Sequence, residues 1–186
     1  MSADDRRLIA ECLRGRTDAF CELVARYQDR LFNTVYRLTD NAEDAQDVVQ
    51  ETFLSAYQSL DTFKGEAQFF TWLYRIAMNT AISLRRKKKG TVSIEGPNGE
   101  AAVEPLDSSE SSRPGHALEQ REQNQRIQKA LRLLSPEHRA VLVLKDMEGQ
   151  KYETIAEILQ VPIGTIRSRL HRARMELRAI LSRDRH

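Results

Sequence analysis

Residues 149–178, GQKYETIAEILQVPIGTIRSRLHRARMELR, leave this chain few choices of fold. Tyr152, Ile155, Ala156 and Leu159 recur at the spacing of one helical face, and Ile166, Leu170, Ala173 and Leu177 repeat the pattern. Between them Gln160, Val161 and Pro162 make a corner. Proline suits the first turn of a helix, where its missing N–H had no partner anyway. At about 100° per residue, the second helix turns Ser168, His171 and Met175 away from the apolar stripe, flanked by Arg167, Arg172 and Arg178. A short helix, a tight corner and an arginine-bearing second helix form the pattern of a helix-turn-helix DNA reader. The bland alternative is an amphipathic hairpin with a solvated basic face.

The rest of the chain is helical in period too. Asp4 opens a first short helix that Gly15 ends. A second spans 17–38 with Phe20, Leu23, Val24, Tyr27, Leu31, Val35 and Leu38 as its stripe. Asp40 and Glu43 have capping-box spacing, starting a third helix to about Leu60 that buries Ala45, Val49, Phe53 and Ala56. Its other face carries Asp47, Gln50, Glu51, Leu54 and Gln58; a leucine in a polar face is common on any surface, but one ringed by acids and amides also fits a docking spot. Residues 61–65 read as a loop and 66–86 as a fourth helix with core stripe Phe69, Leu73, Ile76, Ala77, Thr80 and Leu84. Phe70, Trp72, Tyr74, Arg75 and Asn79 cannot all share that stripe. Some of these rings are expected at the surface, as a platform for unstacked bases, unless they complete a small core. Arg85, Arg86, Lys87, Lys88 and Lys89 exceed what a helix C-terminus needs and suggest phosphate contacts.

Residues 90–113 change character: rich in Gly, Pro, Ser and acids and without period, they read as a flexible linker. A helix over 116–134 follows, with Leu118, Ile127, Leu131 and Leu134 buried. Ser135, Pro136 and Glu137 then start a helix to Met147 that buries Ala140, Val141, Val143 and Leu144 and stops at Gly149. No strand pattern appears. The chain reads as all-α, with two small domains.

The net charge of +2 conceals an uneven distribution: +1 over 1–90, −4 over 91–118 and +5 over 119–186. The two ends can face nucleic acid while the middle is repelled by it. No apolar run reaches the ~20 residues of a membrane span, and the acidic start MSADDRRL is not a secretory signal. Cys12 and Cys21 lack metal-ligand spacing and read as buried or partly buried free thiols, which suits a reducing cytoplasm. No phosphate-binding glycine loop or nucleophile signature occurs. His116, His138, His171 and His186 are scattered, and Asp44, Asp47 and Glu51 read as a solvated face rather than a metal site. The expectation is a protein that is not an enzyme and needs no cofactor.

Three stretches together resemble the extracytoplasmic-function (group IV) sigma factors of the bacterial sigma-70 family. DAQDVVQETFLSAYQSL (44–60) is similar to the second conserved subregion of the N-terminal sigma domain. FKGEAQFFTWLYRIAMNTAISLRRKKK (63–89) is similar to the segment that melts promoters and reads the −10 element. LSPEHRAVLVLKDMEGQKYETIAEILQVPIGTIRSRLHRARMELR (134–178) is similar to the domain that reads the −35 element. The resemblance covers nearly the whole chain. It implies a sigma region 2 domain over 1–89, a linker over 90–115 and a sigma region 4 domain over 116–186.

The resemblance also implies roles. Asp47, Gln50, Glu51 and Leu54 would dock on the clamp helices of core RNA polymerase, and the C-terminal domain on its flap. Phe63, Lys64, Gly65 and Glu66 would form, with Asn79, the pocket for a base flipped from the non-template strand. Flipping costs a few kcal/mol, and stacking plus an amide that both donates and accepts offsets it. The basic run 85–89 would track phosphates, and the acidic linker would thread polymerase channels that otherwise hold RNA. Arg167, Ser168, His171 and Arg172 would face the major groove, with Tyr152, Arg169 and Arg174 towards the flanks in packing or phosphate contacts. An anti-sigma factor is a further partner implied by the resemblance. Two rivals stand beside it: a polymerase-independent helix-turn-helix regulator, and an enzyme with an incidental DNA-binding tail.

Overall fold

The computed structural model describes residues 2–91 and 114–183. Eight α-helices form within them: α1 (Ala3–Leu13), α2 (Thr17–Thr39), α3 (Ala42–Gln58), α4 (Phe69–Thr91), α5 (Pro114–Leu133), α6 (Pro136–Leu142), α7 (Tyr152–Leu159) and α8 (Ile163–Arg183). A 3₁₀ turn (Leu60–Thr62) follows α3 and a π turn (Val143–Met147) follows α6. No strand occurs among the described residues. The linker expected over 90–113 lies outside them, save that α4 runs on to Thr91.

Local chemistry sets the ends of these elements. The Ser135 hydroxyl accepts from the His138 N–H at 3.2 Å, with Pro136 in the first turn, as expected of a capped start. The cap of α3 is Asn41, not Asp40: its Oδ1 accepts from the Asp44 N–H at 2.8 Å. Asp40 instead closes α2 in a left-handed conformation (φ 62°), so it cannot also start the next helix. Helix α4 begins at Phe69, three residues later than the periodicity predicts, because Gly65 turns with φ 74° and residues 66–68 remain loop. The helix expected through Met147 loses α geometry after Leu142, where one turn widens to π.

In the N-terminal unit α2 is central and packs on α1, α3 and α4; in the C-terminal unit α8 packs on α5, α6 and α7. The units also pack on each other: α4 lies against α6 and α7, and α2 against α6 and the π turn. One apolar cluster therefore runs through both units, from Leu8, Leu23 and Leu31 to Ile155, Ile166 and Leu170. This second layer overturns the expected aromatic platform. Phe70, Trp72 and Tyr74 are all buried, because a face that would be solvent in an isolated bundle is covered here. The Tyr74 hydroxyl lies 3.2 Å from Thr34 Oγ1, and burial raises its pKa. Cys12 is half-buried, but Cys21 is exposed: it points away from the face set by Phe20 and Leu23.

Candidate nucleic-acid interface

The second helix of the hairpin is α8. Ile166, Leu170 and Ala173 are buried, which fixes its rotation, and Arg167, Ser168, His171 and Arg172 all stand exposed on its outer side. The helix starts where the Pro162 carbonyl accepts from the Ile166 N–H at 3.2 Å. The turn into it is made by Gln160 in a left-handed conformation (φ 53°). The Ser168 hydroxyl donates to the Thr165 carbonyl at 3.0 Å, which leaves its lone pairs able to accept. Tyr152 packs between two cations, with Lys145 Nζ 4.8 Å and the Arg167 guanidinium 5.9 Å from its ring centre. Arg174 does not point to the outer face but pairs with Asp146, Nε to Oδ2 at 3.0 Å, which raises its pKa. Arg169 is half-buried.

A cleft of about 570 Å³ opens beside the loop after α3. Phe63, Lys64, Gly65 and Glu66 line it with Trp72 and Arg75 of α4, and its far wall is Ala156 and Glu157 of α7 with Gln160 just after that helix. Phe63 is held by its neighbours, its ring 5.1 Å from Trp72 and 5.8 Å from Phe69. Asn79 does not line the cleft. It is exposed, two helical turns beyond Trp72 and about 10 Å further along the axis. The structure thus gathers the loop residues and leaves the amide outside. Trp72 and Arg75 are cleft residues that the sequence ranked only as aromatic and basic company. The contribution of α7 had no local signal at all.

The basic run divides. Arg85 is drawn inward, donating from Nη1 to the Thr39 carbonyl at 3.2 Å and from Nη2 to the Arg132 carbonyl at 2.9 Å; burial lowers its pKa. Arg86 pairs with Glu137, whose pKa is lowered by that partner against the opposing effect of burial. Two of the five expected phosphate contacts are therefore engaged within the protein, because the C-terminal unit offers carbonyls and a carboxylate where solvent was expected. Lys87 is exposed, and the side chains of Lys88 and Lys89 lie outside the described residues.

On α3, Asp47, Gln50 and Glu51 are exposed, and Leu54 between them is 58% exposed. Tyr57, one turn on, is also exposed. Among the described residues no group of histidines, cysteines and acids has the arrangement of a metal site, and no helix is long and apolar enough to cross a membrane.

Known proteins share this arrangement. Sigma-70 region 2 matches residues 23–91, and Sigma-70, region 4 matches residues 124–177. The RNA polymerase sigma-H factor of Pseudomonas aeruginosa is 36% identical over 91% of this chain and 90% of its own length. The ECF RNA polymerase sigma factor SigW of Bacillus subtilis is 34% identical over 93% of this chain and 94% of its own. Among solved structures, the sigma factor RpoE in complex with the anti-sigma factor NepR from Bartonella quintana superposes with a TM-score of 0.67 at 27% identity, covering 88% of this chain and 96% of that one.

Proposed function

This chain belongs to the sigma-70 family, in its extracytoplasmic-function (ECF) group, and from that premise we propose how its surfaces divide the work. As an ECF sigma factor it directs transcription initiation by RNA polymerase, and the family is not enzymatic. We assign core-polymerase binding and −10 reading to residues 1–89, and −35 reading to residues 116–186, with 90–115 as the link.

In the N-terminal unit, Leu54 with Asp47, Gln50 and Glu51 docks on the polymerase clamp. The observation that carries this is Leu54 itself. A side chain 58% exposed and ringed by Asp47, Gln50 and Glu51, with exposed Tyr57 one turn on, suits a partner contact. Phe63, Lys64, Gly65 and Glu66 hold the flipped base, the cleft against Trp72 and Arg75 supporting that role. Asn79, standing apart on the same helix, reads an adjacent base edge of the melted strand. Arg86, Lys87, Lys88 and Lys89, with Arg85 once it is released, contact phosphates. In the C-terminal unit Arg167, Ser168, His171 and Arg172 read −35 base edges, and the unit docks on the polymerase flap. The chain works in the cytoplasm. An anti-sigma factor is a fitting partner, since the relative RpoE is seen with one.

Promoter opening with purified core polymerase tests the division. Asn79→Ala should abolish opening of a linear promoter while −35 duplex binding by the holoenzyme stays within about twofold of the parent. Equal loss of both would defeat the assignment. Leu54→Arg should remove the stable complex with core, read by native gel.

A further inference from the structure

Residues 63–66 lie outside any helix, between the 3₁₀ turn and α4, and Lys64, Gly65 and Glu66 are exposed. A loop that reads a base needs a fixed backbone, since a shift of about 1 Å in a positioned contact can cost ~100-fold. Both ends of this loop lead back to one small region of α1 and α2. At the leading end the Phe63 N–H donates to the Leu60 carbonyl at 3.2 Å, Leu60 is buried, and α1 packs on that turn. At the trailing end α4 opens on Phe69 and Phe70, whose ring centres lie 5.6 Å and 6.5 Å from that of Tyr27 on α2. Phe69 in turn meets Phe63 at 5.8 Å and Trp72 at 5.7 Å. A row of rings therefore runs from Tyr27 to the cleft, each tilted or edge-on to the next as aromatic pairs prefer.

Tyr27 is itself pinned. Its hydroxyl donates to Asp5 Oδ2 at 3.0 Å, and Asp5 Oδ1 accepts from Arg26 Nη1 at 2.6 Å. Asp5 is buried, so both of its oxygens are committed, and the phenol cannot shift without losing a charge-assisted bond in a site poor in water. Helix α1 braces the loop twice, directly at the 3₁₀ turn and through Asp5 and Tyr27 at Phe69.

We propose that Tyr27, held by Asp5 of α1, is a positioning residue of the base-capturing loop: it sets Phe69, and Phe69 with Trp72 sets Phe63. This rests on assigning residues 63–66 to the flipped base. Helix α1, which touches no base in that assignment, thereby acts on −10 reading and leaves −35 reading to α8.

The test binds core polymerase carrying each full-length variant to bubble templates with an abasic site at each −10 position in turn. The flipped position is the one whose abasic penalty Phe63→Ala removes. There, Tyr27→Leu should cut the penalty about tenfold, within what stacking of one base supplies. Tyr27→Phe keeps the ring and loses the Asp5 bond, and should cut it about threefold. Duplex −35 binding should stay at the parent level in both. Trp72, the only tryptophan of the chain and 8% exposed, reports the loop in the free protein, and its quenching by acrylamide should rise in both variants. Val35→Ala, a buried truncation about 12 Å further along α2, stands outside the row of rings and should move neither readout. If the penalty survives in both Tyr27 variants while Phe63→Ala removes it, the positioning role falls and the loop assignment stands. Unchanged quenching in both overturns the role as well, and so do equal effects from Val35→Ala, which would make Tyr27 a part of the core and no more. If no position depends on Phe63, the loop assignment falls and takes this role with it.

Discussion

Arg139 is fully buried, deeper than most of the aromatic rings around it. Nothing in the period of 136–147 marks it, because its two acceptors come from α2 and α5 rather than from its own helix. Burial, reinforced by Arg85 nearby, pushes its guanidinium down to about 9, so it remains charged at neutral pH. One nitrogen, Nη2, has no hydrogen-bond partner among the described residues. Arg139→Ala would strand two carbonyls and leave a cavity, and should cost roughly 3 kcal/mol or more in chemical denaturation. Arg139→Lys should recover only part of this, since an ammonium cannot span two acceptors as a planar fork does.

Tyr27 offers a pH prediction at the same scale. Burial and the hydrogen bond it donates to Asp5 at 3.0 Å raise its pKa from 10 to about 12. The folded chain keeps the phenol proton after the unfolded chain has lost it. The resulting stability is complete below pH 10 and declines as pH rises towards 12. Thermal melts of Tyr27→Phe should fall less steeply than the parent across that window. The raised pKa of Tyr74 leaves some of the slope, and the lowered pKa of Arg139 opposes it above about 9.

At the scale of elements, amphipathic period and caps carried most of the information. The corner of the hairpin, the Ser135 cap and the exposed face of α8 follow from spacing alone, because each depends on residues within a few positions of one another. The misreadings share one cause. The aromatics of α4 were expected in part at the surface and are buried, and Arg85 was expected at phosphate and is capping helix ends, because elements far away in sequence cover them. The rotation of α8 yields its own prediction. Arg172 is exposed, with no hydrogen bond or ion pair among the described residues, and is free to form a forked contact with guanine. Arg172→Ala should cost about 1–3 kcal/mol of discrimination between cognate and mutated −35 duplex in anisotropy titrations. Lys87→Ala should instead weaken all sequences alike and flatten the salt dependence by about one ion. A sequence-independent loss from Arg172→Ala would contradict the assignment.

Across the whole molecule, two helical units and the inverted charge of the stretch between them were legible from composition. Their seam was not. It is built from single residues spread between Arg30 and Glu148, and its acids and arginines look in sequence like any solvated face. The seam also bounds the cleft. The loop at 63–66 faces α7 across the cleft with Lys64, Gly65 and Glu66 exposed, and Arg167, Ser168, His171 and Arg172 stand exposed on α8. The loop assigned to the melted strand thus shares a cleft with the unit assigned to duplex, and any shift of one unit against the other changes the width of that cleft.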